Sequence, residues 1–261
     1  MQPHPIPKFV AHRLNFRPGD ERSLVEDNTL FLWRFRPEWS QLSRDSGYAT
    51  LSRAELARIK NYPNPALGKR YAVARACLRE ILAGLTGLPA SDLPLYEDRE
   101  GRLRLDPLRS PLSIATVYAG AWVLVAVARA NVGLAISMVT PAGSSLGSSF
   151  NDAAIADAQP LASHTHHTRQ HVRRASLADA ADKPLFDVTE GLLQDDSPSV
   201  VLDAHKDGVW HLLDLPMPGT MLASVAVACP VAAVHGFGWV SYEASALNAA
   251  KAPTRFRFAV R

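Results

Sequence analysis

The sequence predicts an α+β protein built from two successive units, and three observations carry that expectation. A helical apolar period fills residues 66–86, and short strand-like runs follow it as far as residue 139. After residue 150 the same order returns, helix first and strands after. Between the two series, the stretch beginning at Thr140, TPAGSSLGSS, has the Gly/Ser/Pro composition of a linker. The expected boundaries are therefore 1–139 for the first unit, 140–149 for the linker, 150–235 for the second unit and 236–261 for a tail.

Each element has a local reason. Residues 29–35, TLFLWRF, are rich in aromatic and large apolar side chains and read as the first strand. Ser52 with Glu55 three residues later forms a capping box, which starts a short helix ending near Lys60. Pro63 and Pro65 punctuate the chain. In the long helix that follows, Leu67, Tyr71, Ala74, Leu78, Leu82 and Leu85 recur at helical spacing, and Gly87 is its stop. Arg70, Arg75 and Arg79 read as the solvated face of that helix. Short strands are expected at 93–96 and 102–105, then at 112–117, 122–129 and 132–139. The second unit opens with weakly helical sequence at 150–158 and a helix around 169–183. Strands at 199–204, 209–215 and 221–228 complete it, and the alternating end RFRFAVR suits an edge strand.

Composition narrows the function. With 261 residues, 47% apolar and 20% charged, the chain has the balance of an ordinary globular protein. A net charge of +3 with a pI near 9.0 favours an acidic partner. Nucleic acid is not expected, because no stretch interleaves basic residues with stacking aromatics. Cys77 and Cys229 lie in apolar contexts and read as two buried thiols rather than a disulfide. The N-terminus lacks the apolar core of a secretory signal. The longest apolar run, 221–234, is too short for a membrane span and is broken by Pro230. A cytoplasmic location without membrane contact is the expectation. His164, His166, His167 and His171 crowd one segment, and His167 and His171 have i,i+4 spacing. Without an HExxH glutamate or a cysteine partner, that segment reads as a polar loop or helix start, not a metal site. Neither a G-x-S-x-G elbow nor a phosphate-binding P-loop is present.

The most informative stretch is 113–137, SIATVYAGAWVLVAVARANVGLAIS. It resembles the signature region of the Sfp-type 4'-phosphopantetheinyl transferases. Those read (S/N)-(I/L)-S-H-S-x-G, then an apolar strand, then x-(V/I)-G-(V/I)-D-(I/V)-E. Gly120, the run Trp122 to Ala128 and the turn Asn131-Val132-Gly133 fall in place without a gap. The histidine position is Tyr118, the aspartate position Ala135 and the glutamate position Ser137. Three further segments are similar to the family. Residues 70–82 follow R-(F/Y)-x-x-A-R-x-x-L-R-x-(I/L)-L, and LSRAELARIKNY (51–62) follows the helix before it. Glu100-Gly101-Arg102-Leu103 resembles the family's x-G-K-P turn, and 209–228 resembles its closing strands. The family's W-x-x-K-E-A-x-x-K helix is placed at 175–183, with Ala175 and Ala178 replacing its tryptophan and first lysine and Asp179 and Lys183 as remnants.

The resemblance implies two pseudo-symmetric lobes packed face to face, each a small, mostly antiparallel sheet with helices. It implies coenzyme A as ligand, with Arg70, Arg102 and Lys183 near its phosphates. Residues two apart in a strand share a face, so a D-x-E pair offers two carboxylates to one hard cation. Ala135 and Ser137 offer none, so Mg²⁺ is not expected to bind, and Asp179 is the sole metal candidate. If that ion supplies several kcal/mol of transition-state stabilisation, its loss costs on the order of 10²-fold or more in rate. The expected function is that of a degenerate transferase, a pseudoenzyme binding an acyl carrier protein, coenzyme A or a biosynthetic partner enzyme in the inter-lobe cleft. The alternatives are an active transferase and a structural subunit of a fatty-acid or polyketide-type complex. A monomer or a hetero-complex fits either way.

Overall fold

The computed structural model describes residues 7–16, 26–40, 42–139, 161–181, 197–203 and 208–240, together with 243, 248 and 254–257. Their order begins with β1 (Lys8–His12), β2 (Thr29–Phe35), α1 (Arg44–Thr50), α2 (Arg53–Lys60) and α3 (Pro65–Thr86). The small strands β3 (Leu95–Glu97) and β4 (Leu103–Leu105) follow, then β5 (Ser113–Ala119), β6 (Trp122–Ala128) and β7 (Val132–Met138). The second half holds α4 (Leu161–Ala181), β8 (Ser199–Asp203), β9 (Val209–Leu215), β10 (Met221–Val227), β11 (Ala233–Phe237) and β12 (Thr254–Arg257). The protein is a mixed α+β structure.

One sheet has the order β1-β11-β2-β6-β5 and the other β12-β8-β9-β10-β7, while β3 and β4 form a separate hairpin. Pairing is parallel at β1–β11, β11–β2 and β12–β8 and antiparallel elsewhere. Strand β2 explains the stacking, since all seven of its residues are buried. Phe31, Trp33 and Phe35 pack against α3, and Leu30 and Leu32 face the other way. Those leucines meet Leu134, Leu213, Leu215 and Val225 of the opposing sheet. The second sheet turns its remaining face to α4 through Leu177, Val200, Leu202 and Leu212. Four layers result: helices, sheet, sheet, helix.

The local signals for the helices are physical. The capping box of α2 is present, with Glu55 N–H donating to Ser52 Oγ at 3.2 Å and Ser52 N–H to Glu55 Oε2 at 2.8 Å. Helix α3 starts with Asn64 accepting from Ala66 N–H, and Pro65 takes the first turn, where its missing N–H costs nothing. It ends at Gly87, whose φ of 76° is left-handed backbone that suits glycine. At Gly133 a Cβ would lie 2.2 Å from the Ser176 carbonyl oxygen, so this glycine lets α4 lie directly on β7.

The strand pairing corrects several expectations. Strand β7 precedes the linker yet pairs with β10 in the second sheet, because its faces are filled by α4 on one side and the first sheet on the other. Strand β11 straddles the expected boundary at 235/236 and lies in the first sheet, between β1 and β2. Helix α4 starts at 161, earlier than 169, and takes up the histidine segment. Cys77 is buried as expected, but Cys229 is only half-buried, and both are free thiols. The weakly helical 150–158 lies outside the described residues.

Candidate functional site

A cleft of about 430 Å³ opens where the β3–β4 hairpin, the first turns of α3, the end of α2, β5, β7 and α4 meet. Four arginines reach it: Arg58 from α2, Arg75 from α3, and Arg102 and Arg104 from the hairpin. The hairpin brings the last two because Gly101, at φ 77°, makes the turn between its strands.

The four cations form two groups. In the first, Arg58 Nη1 (2.6 Å) and Arg75 Nη2 (2.9 Å) converge on one oxygen, Glu97 Oε1. Both guanidiniums also lie over the Tyr71 ring, at 5.3 and 4.9 Å from its centroid. The Arg75 side chain is only 7% exposed, and its Nε and Nη1 have no hydrogen-bond partner. In the second group, Asp98 accepts from the N–H groups of Glu100 (3.0 Å) and Arg102 (2.8 Å) and from Arg102 Nε (2.7 Å). Slight desolvation raises the Asp98 pKa, but these donors and the Arg102 charge outweigh it and hold the carboxyl below its ordinary range. Asp179 Oδ1 accepts from Arg104 Nη2 at 3.0 Å and lies 3.7 Å from Arg102 Nη1. Its Oδ2 accepts from Leu134 N–H at 3.1 Å. Asp179 thus fastens α4, β7 and the hairpin together.

The residues singled out in the sequence are dispersed. Tyr118, Arg102 and Asp179 line the cleft, and Tyr118 is 49% exposed. Arg70 does not line it, since its Nη2 donates to the Gly120 carbonyl across the start of β6. Ala135 and Ser137 share the α4-facing side of β7 with Gly133 and are not among the cleft residues. Lys183 lies outside the described residues. Among the described residues, no group of three His, Cys, Asp or Glu is arranged to hold a metal ion.

Two arginines depart from the solvated face expected of them. Arg79 is buried and donates to Glu55 Oε2 at 2.9 Å and to the Ala90 carbonyl at 2.8 Å, a structural tie between α2 and α3. Arg75 is buried at the cleft floor. The signal for it was present, because position 75 stands four after Tyr71 and three before Leu78, on the apolar stripe itself. Arg58 stands within the family-like segment 51–62, whereas Glu97 and Arg104 had no such signal, because the hairpin brings them to the cleft across the sequence.

No protein-family model and no curated protein matches this sequence.

Proposed function

We propose that this chain is a catalytically degenerate protein of the 4'-phosphopantetheinyl transferase type, which binds in the cleft without transferring phosphopantetheine. The observation that carries the reading is the state of its acidic groups. Ala135 and Ser137 hold the carboxylate positions of the motif, and both oxygens of Asp179 are already engaged by Arg104 and Leu134. A hard cation needs several free oxygen ligands, and one carboxylate occupied in this way supplies few. Cations are plentiful, so the cleft is suited to anionic ligands such as coenzyme A or the acidic surface of a carrier protein. Two sheets face to face, each covered by a long helix, fit the two-lobed fold of that family. A cytoplasmic pathway with an acyl carrier protein or a biosynthetic enzyme as partner belongs to the same reading. Among the described residues, no helix is long and apolar enough to cross a membrane.

Thermal-shift titration with coenzyme A tests it, run with and without Mg²⁺. The expected result is a metal-independent rise of about 5 °C or more when ligand exceeds Kd roughly a hundredfold. A shift that requires Mg²⁺, or labelling of an apo carrier protein by coenzyme A, would establish an active transferase instead. The double variant Ala135→Asp with Ser137→Glu asks whether chemistry returns with the carboxylates.

A further inference from the structure

We infer that His12 and His235 form a two-histidine seat for a divalent transition metal, with copper(II) and nickel(II) preferred to zinc. The pair belongs to the first sheet, on the neighbouring strands β1 and β11, and neither strand lines the cleft. His12 Nε2 and His235 Nδ1 lie 3.0 Å apart in a direct hydrogen bond. Imidazole nitrogens sit about 2.0–2.1 Å from such an ion, so two of them at this separation subtend roughly 90–97° at a shared metal. That is the angle between neighbouring ligands in the square-planar or tetragonal sites of copper(II) and nickel(II), whereas tetrahedral zinc asks for a wider bite. Rotation of each ring turns both lone pairs from each other toward the ion. The hydrogen-bonding proton moves to the donor's other ring nitrogen, so both ligands remain neutral imidazoles.

The sheet holds the two rings in place. Phe9 of β1 packs into the gap between the sheets, so Val10 and His12 take the opposite face by alternation. His235 shares that face with Phe237, two residues further along β11. The register sets Val10 beside His235 and His12 beside Phe237, so the histidines meet on the diagonal. Stacking then fixes both planes: His12 lies 4.7 Å from Phe237 at 18°, and His235 lies 5.0 Å from Phe31 at 14°. Ligand rings held in this way lose little freedom when the ion arrives. Both histidines are half-buried, which leaves a way in for the ion and its waters. Charge does not oppose it. On this face β2 presents Phe31, Trp33 and Phe35, and β11 adds Ala233. The described cation of β1 on the same face is Lys8, four residues from His12 and about 13 Å along the strand. Among the described residues no third His, Cys, Asp or Glu joins the pair, so water or a donor from a bound molecule completes the coordination.

Calorimetric titration with NiCl₂ tests the seat. It uses the full chain carrying His167→Gln and His171→Gln, because that exposed i,i+4 pair on α4 offers a chelate of its own. Saturable Ni²⁺ binding is expected, with Cu²⁺ tighter, Mn²⁺ weaker and no measurable binding of Mg²⁺, which prefers oxygen ligands. His12→Phe and His235→Phe keep a ring in each stack and remove the ligand nitrogens. Each should weaken Ni²⁺ binding by at least about tenfold, since a lone imidazole lacks the effective concentration of a chelate. The double variant should bind little worse than either single one. Paramagnetic resonance of the copper(II) form needs no substitution at the pair and should show splitting from two imidazole nitrogens. The inference is overturned by an absence of saturable Ni²⁺ binding, by binding that both phenylalanine variants leave untouched, or by a copper signal with fewer than two nitrogen ligands.

Discussion

Arg34 and Arg75 are both guanidinium groups sunk into the fold, at 7% side-chain exposure each, and they are satisfied very differently. Arg34 grips Glu243 with two parallel bonds of 2.8 and 2.9 Å and donates to the carbonyls of Pro216 (3.0 Å) and Gly238 (2.9 Å). It also lies 4.8 Å from the Trp239 ring and 5.6 Å from the Trp122 ring. Arg75 makes one ion pair and leaves two nitrogens unmatched. A buried cation whose donors are all used is a fastening of the fold, here holding residue 243 and the end of β11 to β2. A buried cation with spare donors beside a cleft keeps hydrogen-bonding capacity that the fold does not use. Burial alone does not separate the two; the count of unmet donors does.

The largest expected effect follows from that contrast. Arg34→Met strips partners from a buried carboxylate and two carbonyls and should destabilise the protein by about 3–5 kcal/mol in urea denaturation. Arg75→Met removes two unsatisfied donors along with one ion pair whose carboxylate is partly exposed and keeps Arg58 as a partner, so its cost should stay near or below about 1 kcal/mol. Equal losses in the two variants would erase the distinction.

A smaller effect sharpens it through pH. Burial pushes the Glu243 carboxyl up, but the Arg34 bonds, the Val240 N–H and the Arg34 charge outweigh this and set its pKa below the ordinary carboxylate value. A group with a depressed folded pKa stabilises the native state above its unfolded pKa and loses that stabilisation as pH falls through the folded one. Stability measured from pH 7 downward should therefore decline below the ordinary carboxylate range. In Glu243→Gln that part of the decline should be missing, and an unchanged acid limb would show that the pair does not act as drawn.

The same contrast marks how far the sequence could be read. Residues 29–35 and 209–215 match their strands, and α2 and α3 lie within a residue of expectation, because capping, helical period and β-rich runs are local signals. Strand β11 carries no comparable signal for its place, since its parallel neighbours β1 and β2 lie some 200 residues away. Strand β1 and helix α1 were also missed, being five and seven residues long. Tyr118, Arg102 and Asp179, which motif spacing singles out, line the cleft, whereas the Arg58–Glu97–Arg75 group exists only once the hairpin folds across α3. For Arg70, helical period gives a face but not the Gly120 carbonyl that its side chain finds.

The smallest effect is a chemical one, and it tests whether the helix beneath the cleft is as closed as Arg75 implies. Cys77 lies two residues beyond Arg75 on α3, and burial, with a smaller contribution from Glu80, pushes its thiol up to about 12. At pH 8 the reactive thiolate is then about one part in ten thousand, and access is blocked as well. Cys229 is also raised, by burial and by Asp27, but it is half-buried at the end of β10. Brief treatment of the native protein with iodoacetamide should therefore add one group per chain, mapped by mass spectrometry to Cys229, with Cys77 following only after denaturation. Equal labelling of the two would mean that α3 opens readily. The unmet donors of Arg75 would then be paired with water, and the difference between Arg34 and Arg75 would vanish at its source.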